Sequence, residues 1–191
     1  MAAPALGDAP FWYLTRSTGI TSFVLLTIAM AFGVAATQRA LASPAWPRFA
    51  TQALHRNVSL LGLAFLLVHI PTTIVDGYVS ISWWSVVLPG LSDYRTLWVA
   101  LGTLAFDAVV LAVVSSLLRL RLSAALWRGL HLTTYAAWPL MLLHFLKTGT
   151  DAAHGRFGLW IAYVSLGIVV AAAGVRVLVR EQAPEPVRSL R

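Results

Sequence analysis

The chain has 191 residues, of which 59% are hydrophobic and 11% are charged, and its mean hydropathy is +0.77. A soluble domain of this length could not bury so much apolar surface in one core, whereas a bilayer accommodates it. The net charge of +7 does not indicate nucleic-acid binding, because the basic residues lie at the ends of apolar runs. The lack of cysteine excludes disulfides, iron–sulfur clusters and covalently attached c-type haem.

Five apolar segments are long enough to cross a bilayer. In chain order they are segment A (19–36), segment B (54–75), segment C (96–118), segment D (129–146) and segment E (157–179). We therefore predict an all-α, polytopic membrane helix bundle with five transmembrane helices, formed by residues 1–180 as one domain. The polar, proline-rich residues 181–191 are predicted to be a short disordered tail. Segment A resembles a signal peptide, but the acidic Asp8 precedes it and we expect it to be retained.

The basic residues divide unequally between the two ends of these segments. Four lie on one side, namely Arg16, Arg95, Lys147 and Arg156. Ten lie on the other side, namely Arg39, Arg48, Arg56, Arg119, Arg121, Arg128, Arg176, Arg180, Arg188 and Arg191. Because cytoplasmic loops carry the excess of lysine and arginine, we predict that the N-terminus is outside and the C-terminus is cytoplasmic. The protein is expected to be a multi-pass protein of the inner or plasma membrane.

Four of the five histidines fall into two pairs within apolar segments. Segment B carries His55 and His69, which are 14 residues apart, and segment D carries His131 and His144, which are 13 apart. Each pair spans roughly 20 Å along a helix. Segments B and D run in the same direction, so His55 matches His131 in depth and His69 matches His144. A structural role for a single intramembrane histidine is common, but the matched depths favour function.

Two histidines facing each other at one depth are suited to an imidazole on either side of a haem iron. The sequence therefore predicts two non-covalent haem b groups, one near each membrane face, with iron ligands His55, His69, His131 and His144. On an ideal helix His55 and His69 share a face, whereas His131 and His144 lie about 140° apart. Pro139 between the latter two is expected to kink segment D. Arg56 and Arg128 are candidates to bind the propionates of the inner haem, or are simply positive-inside residues.

Other polar or small residues have two interpretations each. Gly62, midway between His55 and His69, would allow close approach of a haem or of a helix. Asp107, in the middle of segment C, could have a proton or quinone role, but a hydrogen bond to serine or threonine on a neighbouring helix is favoured. His154 lies in a hydrophilic loop and is interpreted as solvated, with acceptor docking or metal contact as the alternative. The segment 77–90, with Trp83 and Trp84, is interpreted as an interfacial anchor or a lid over the outer haem.

The histidine pattern resembles the ferric reductase-type transmembrane domain, a family that includes NADPH oxidases, ferric reductases and the haem subunit of the bacterial periplasmic methionine sulfoxide reductase system. The resemblance lies in the double spacing, 14 on one helix and 13 on another, with one helix between them. The residues that carry it are Leu54-His55-Arg56-Asn57, Val68-His69, Leu130-His131-Leu132 and Leu143-His144. It covers roughly residues 12–176. It implies a haem-binding membrane bundle that transfers electrons.

The chain departs from the oxidases of this family, because it contains no glycine-rich dinucleotide fingerprint after a predicted strand. We therefore expect an electron-transfer oxidoreductase subunit whose donor is separate, either a quinol, with quinone as a further candidate ligand, or a cytoplasmic flavoprotein. The acceptor is expected to be an extracytoplasmic protein or small molecule. The alternatives are a quinol-linked cytochrome b subunit of a larger respiratory complex, although a Pro-Glu-Trp-Tyr motif is missing, and a haem-free membrane scaffold subunit. A haem-based gas sensor is not favoured, because bis-histidine ligation leaves no open position on iron.

Overall fold

The structure is a computed structural model that describes residues 9–37, 46–76, 79–149 and 156–181. These residues form α-helices without any strand among them. The helices are α1 (Ala9–Ala36), α2 (Arg48–Val75), α3 (Thr96–Leu117), α4 (Ala124–Leu132), α5 (Thr134–Thr148) and α6 (Arg156–Glu181). Short 3-10 turns cover Trp83–Val86 and Arg119–Arg121. The all-helical prediction is confirmed for the described residues.

Four of these helices, α1, α2, α3 and α6, are long and apolar enough to cross a membrane. Many large apolar side chains on them are exposed, including Leu60, Leu117 and Trp160. Most residues buried between helices are small, such as Ala29, Ala105 and Ala137, while Phe23 and Trp138 are the large ones. Small residues at helix contacts and large apolar residues outside are typical of a bundle surrounded by lipid. The prediction of a membrane-embedded protein is supported to this extent.

Segment D differs from the other four, because it is divided into α4 and α5 at Thr133. Pro139 lies inside α5, so the interruption is found one and a half turns before the proline rather than at it. The hydroxyls of Thr133 and Thr134 donate to the carbonyls of Leu130 and His131 at 2.7 and 2.8 Å. Such back-bonding by adjacent threonines competes with helical backbone bonds and bends the helix.

The bundle consists of two helix pairs. Helix α1 packs along α2, while α3 packs against α5 and α4. At the first contact the Ser22 hydroxyl donates to the Gly62 carbonyl at 2.9 Å, and a Cβ on Gly62 would lie 3.0 Å from the Leu26 side chain. Gly62 therefore serves close packing between α1 and α2, the second of its two interpretations.

The two pairs meet where α1 contacts α5, and α6 packs on the outside of α1. Phe23 stacks on Phe145 with ring centroids 5.0 Å apart, and the indole of Trp138 donates to the Thr27 hydroxyl at 3.0 Å. In the described parts of the chain, α2 does not pack closely against α4 or α5. The helices that carry the histidines are therefore held beside each other by α1 and α3, with space between them.

Candidate functional site

The four histidines of segments B and D come together as two pairs across the space between α2 and the α4–α5 segment. The rings of His55 and His131 have centroids 6.0 Å apart, with an angle of 72° between their planes. His69 and His144 line one cavity of about 260 Å³ at the opposite end of the bundle. The prediction that the histidines pair by depth is confirmed as geometry. The bend at Thr133 accounts for it, since an ideal helix would have separated His131 from His144 by about 140°.

The centroid spacing of the His55–His131 pair, an edge-type ring contact, also leaves room for a shared metal. A nitrogen of imidazole binds a transition metal at about 2 Å, so two ligands on opposite sides of one ion have ring centroids roughly 6 Å apart. The observed 6.0 Å agrees with this separation. Elsewhere in the described residues, three or more histidine, aspartate or glutamate side chains do not gather into a site for a free metal ion. Paired imidazoles instead suit a metal that already has four equatorial ligands.

Three of the imidazoles are oriented by backbone carbonyls on the neighbouring helix. Each imidazole donates from Nδ1 to a backbone carbonyl oxygen at 2.8 Å. His55 donates to Ala29, His69 to Thr15 and His144 to Trp98. A carbonyl oxygen can only accept, so Nδ1 carries the proton and Nε2 keeps its lone pair. This is the tautomer and orientation that a metal-binding imidazole needs.

A glycine lies four residues after each of these carbonyls and makes room for the ring. A Cβ at the glycine would lie within 3.1 Å of the imidazole in every case, and the pairs are Gly33 with His55, Gly19 with His69 and Gly102 with His144. Real Cβ atoms essentially never approach as closely as the 2.8 Å at Gly19 or the 2.5 Å at Gly102. Sequence reasoning missed these glycines. A pattern was present, since Gly19 and Gly33 are 14 residues apart, as are His55 and His69 on the antiparallel partner helix.

The fourth histidine has a different partner. On α3, Ala112 lies 14 residues after Trp98, whose carbonyl accepts from His144, and Ser116 lies 14 residues after Gly102. Ala112 and Ser116 therefore occupy the equivalent positions beside His131. The Ser116 hydroxyl donates to the Ala112 carbonyl at 2.7 Å, and it lies 3.4 Å from Nδ1 of His131. Since the hydroxyl proton is already used, Ser116 accepts from His131. A serine therefore stands where the other three sites have glycine, and the hydrogen bond to it is longer.

Two arginines other than the predicted Arg56 and Arg128 contact aromatic rings near the histidines. Arg56 and Arg128 are both exposed, and Arg56 Nε donates to the Asn57 side chain at 3.5 Å. Neither contacts a histidine ring among the described interactions. Instead the Arg119 guanidinium lies over the Trp127 ring at 4.7 Å, and Trp127 stacks on His131 with centroids 5.3 Å apart.

At the other end of the bundle, Arg16 lines the cavity of His69 and His144, and its guanidinium lies 3.9 Å from the centre of the Trp12 ring. The segment after α2 closes one side of this cavity. Ser85 is buried and its carbonyl accepts from the Thr103 hydroxyl at 2.6 Å, while the Trp83 and Trp84 side chains are exposed. The segment therefore lines the cavity on one side and exposes two indoles on the other.

Two further predictions have different outcomes. His154 lies outside the described residues. Asp107 lies in the middle of α3, but within the described part of the chain its carboxyl makes no hydrogen bond or ion pair, so the favoured hydrogen bond to serine or threonine is not found.

Neither a family model, nor a curated protein, nor a solved structure matches the chain.

Proposed function

We propose that this protein is a dihaem b-type membrane cytochrome that carries electrons across the membrane, from a quinol or a separate cytoplasmic flavoprotein to an extracytoplasmic acceptor. The observation that carries the proposal is the paired geometry of the imidazoles, with three of the four Nδ1 atoms tied to carbonyls. The inner haem would be held by His55 and His131, and the outer haem by His69 and His144. Bound haem would supply reversible one-electron chemistry of iron.

The residues of the chain would set the geometry and the potential of each site. The carbonyls of Thr15, Ala29 and Trp98 fix three imidazoles, and the apolar helix faces exclude water. Arg16, which lines the outer cavity, and Arg119, which lies over the tryptophan that stacks on His131, join Arg56 and Arg128 as candidates to bind propionates. Arginine suits such a role through its bidentate hydrogen bonding.

The proposal has two further parts. The first is that the protein resembles the ferric reductase-type family, and the second is that the α4–α5 segment crosses the membrane. Helix α5 and helix α4 together cover 124–148 with Thr133 between them, which is long enough to span when taken as one bent segment. The basic residues favour an orientation with His55 and His131 near the cytoplasm. Electrons would then pass from the inner pair to the outer pair.

The haem content of the purified protein tests the proposal. Pyridine haemochrome assay of protein from haem-replete cells is expected to give about two haem b per chain, with a low-spin, six-coordinate spectrum after reduction. The matched control is the variant with all four intramembrane histidines changed to alanine, which should be colourless. A colourless native protein would instead favour a haem-free scaffold whose histidines only join helices.

A further inference from the structure

The carboxyl of Asp107 is placed at the centre of a membrane-spanning helix. Asp107 is eleven residues after Thr96 and ten before Leu117, the two ends of α3. It is therefore roughly 15 Å from either end of the helix. An ionisable side chain at this depth is costly unless it is paired or faces a cavity.

The side of α3 that carries Asp107 faces away from the bundle. Three apolar residues at helical spacing on this side are exposed, with Leu104 43%, Leu111 41% and Val114 45% accessible. The opposite side is buried against α5, where Ala105 and Val109 form a cluster with Ala137. The positions 104, 107, 111 and 114 form a stripe with alternating spacings of three and four, which is the pattern of a helix that packs along another helix. We name these four residues the Asp107 stripe.

Nothing in the described residues satisfies this carboxyl. On α3 itself, the hydroxyl of Thr103, one turn before Asp107, donates to the Ser85 carbonyl, and the hydroxyl of Ser116 donates to the Ala112 carbonyl. The nearest basic residues along α3 are Arg95 and Arg119, each twelve residues from Asp107, or roughly 18 Å. The partner of the carboxyl must therefore come from outside the described bundle.

A second copy of the chain is a poor partner for the stripe. Helix α3 contains no basic residue between Thr96 and Leu117. Because Asp107 lies at mid-helix, a copy of α3 packed on the stripe in either direction would place carboxyl against carboxyl. A lysine or arginine at the same depth would neutralise the charge and donate hydrogen bonds.

We propose that the Asp107 stripe is the docking surface for a transmembrane helix of a different protein chain that carries an arginine or lysine near its middle. This surface is separate from the histidine pairs, so the proposal does not depend on haem binding. It gives the cytochrome a membrane-embedded partner subunit in addition to any donor or acceptor that binds at the membrane faces.

The test uses the full chain expressed in the cells from which it comes, with a photo-reactive phenylalanine analogue at Leu111, one turn from Asp107. The matched control carries the analogue at Val164, which is 58% accessible on α6. We expect an adduct with one membrane protein from position 111, and a basic residue within the membrane-spanning segment of that protein. Asp107→Leu should lower the adduct yield roughly tenfold, as expected for the loss of an intramembrane polar contact. Asp107→Glu should retain most of it.

A charge exchange makes the test specific. Asp107→Lys, combined with aspartate in place of the basic residue of the partner, should restore the adduct, whereas either change alone should not. Unchanged insertion and elution of each variant show that the chain is folded. The proposal is overturned by an adduct with a second copy of the chain, by lipid adducts alone at position 111, by a partner without an intramembrane basic residue, or by an adduct that Asp107→Leu does not reduce.

Discussion

An imidazole that binds a metal needs its second ring nitrogen held, and in this protein backbone carbonyls hold three of the four. A carbonyl that is already bonded in a helix accepts a second hydrogen bond only where the imidazole reaches it from the side. Glycine four residues later removes the Cβ that would block this approach. The three carbonyl–glycine pairs are therefore as much a part of the proposed sites as the histidines.

The steric role of these glycines can be tested with a single methyl group. In Gly102→Ala the new Cβ would lie 2.5 Å from Nδ1 of His144, so the ring must move and the outer haem should be lost. We expect about one haem per chain rather than two by pyridine haemochrome assay. Gly167→Ala on α6 is the control, because a Cβ there meets nothing within 4 Å. Two haems in both variants would mean that the glycine does not determine haem binding.

The hydroxyl of Ser116 should influence the potential of the inner haem. Removing it in Ser116→Ala leaves His131 without its acceptor, which makes the imidazole a weaker donor to ferric iron and raises the midpoint potential. A hydrogen bond of about 1 kcal/mol corresponds to roughly 40 mV for a one-electron couple. Potentiometric titration at the inner haem band measures the shift. In Ser116→Gly we expect His131 to reach the Ala112 carbonyl, which should lower the midpoint potential. Equal shifts in Ser116→Ala and Ser116→Gly would contradict the role of Ser116 as the acceptor for His131.

At the level of the elements, α2 has few close contacts with α4 or α5 in the described residues, and each of these helices packs mainly against the helix that orients its imidazoles. Helix α1 provides the hydrogen-bond acceptors for both histidines of α2, while α3 provides those for His131 and His144. Each of the two proposed haems would therefore be clamped between two rigid helix pairs. Because each pair contributes one ligand to each haem, the pairs would be cross-linked at two depths.

Single histidine variants test this pairing. His55→Ala and His131→Ala should each remove the same haem component, because both rings belong to the inner pair. His69→Ala and His144→Ala should each remove the other component. Potentiometric titration of the four variants resolves which component remains. Loss of one common component in the His55 and His144 variants would show that the ligands pair differently.

Much of this arrangement could be predicted from the sequence, because hydrophobic runs and histidine spacing depend on local periodicity. The five apolar segments and the match in depth were accessible in this way. The exact division of segment D at Thr133 was not, since Pro139 predicts a kink without fixing its position, and the threonine back-bonds at Thr133 and Thr134 depend on side-chain rotamers. The roles of Gly19, Gly33 and Gly102 depend on which helices are neighbours. Helix adjacency is a tertiary property that a single sequence does not reveal.

At the scale of the whole molecule, the orientation in the membrane would decide the direction of the proposed electron flow. Cysteine at Ser82, which is exposed near the proposed outer haem, should react with a membrane-impermeant maleimide in intact cells. Cysteine at Ser123, exposed before α4, should react only after the cells are permeabilised. These expectations follow from the ten-to-four distribution of basic residues. The native chain lacks cysteine and provides the background control, and the opposite labelling pattern would reverse the proposed route.

The use of main-chain acceptors has a genetic consequence. Substitution at Thr15, Ala29 or Trp98 changes a side chain but leaves the carbonyl in place. Any residue that fits the packing at these positions should therefore keep the hydrogen bond to the imidazole. The inner site at His131 differs, because a single codon change at Ser116 alters its acceptor. If the two proposed haems are bound, a point mutation at Ser116 would therefore change the potential of the inner one, whereas both imidazoles of the outer one keep main-chain acceptors.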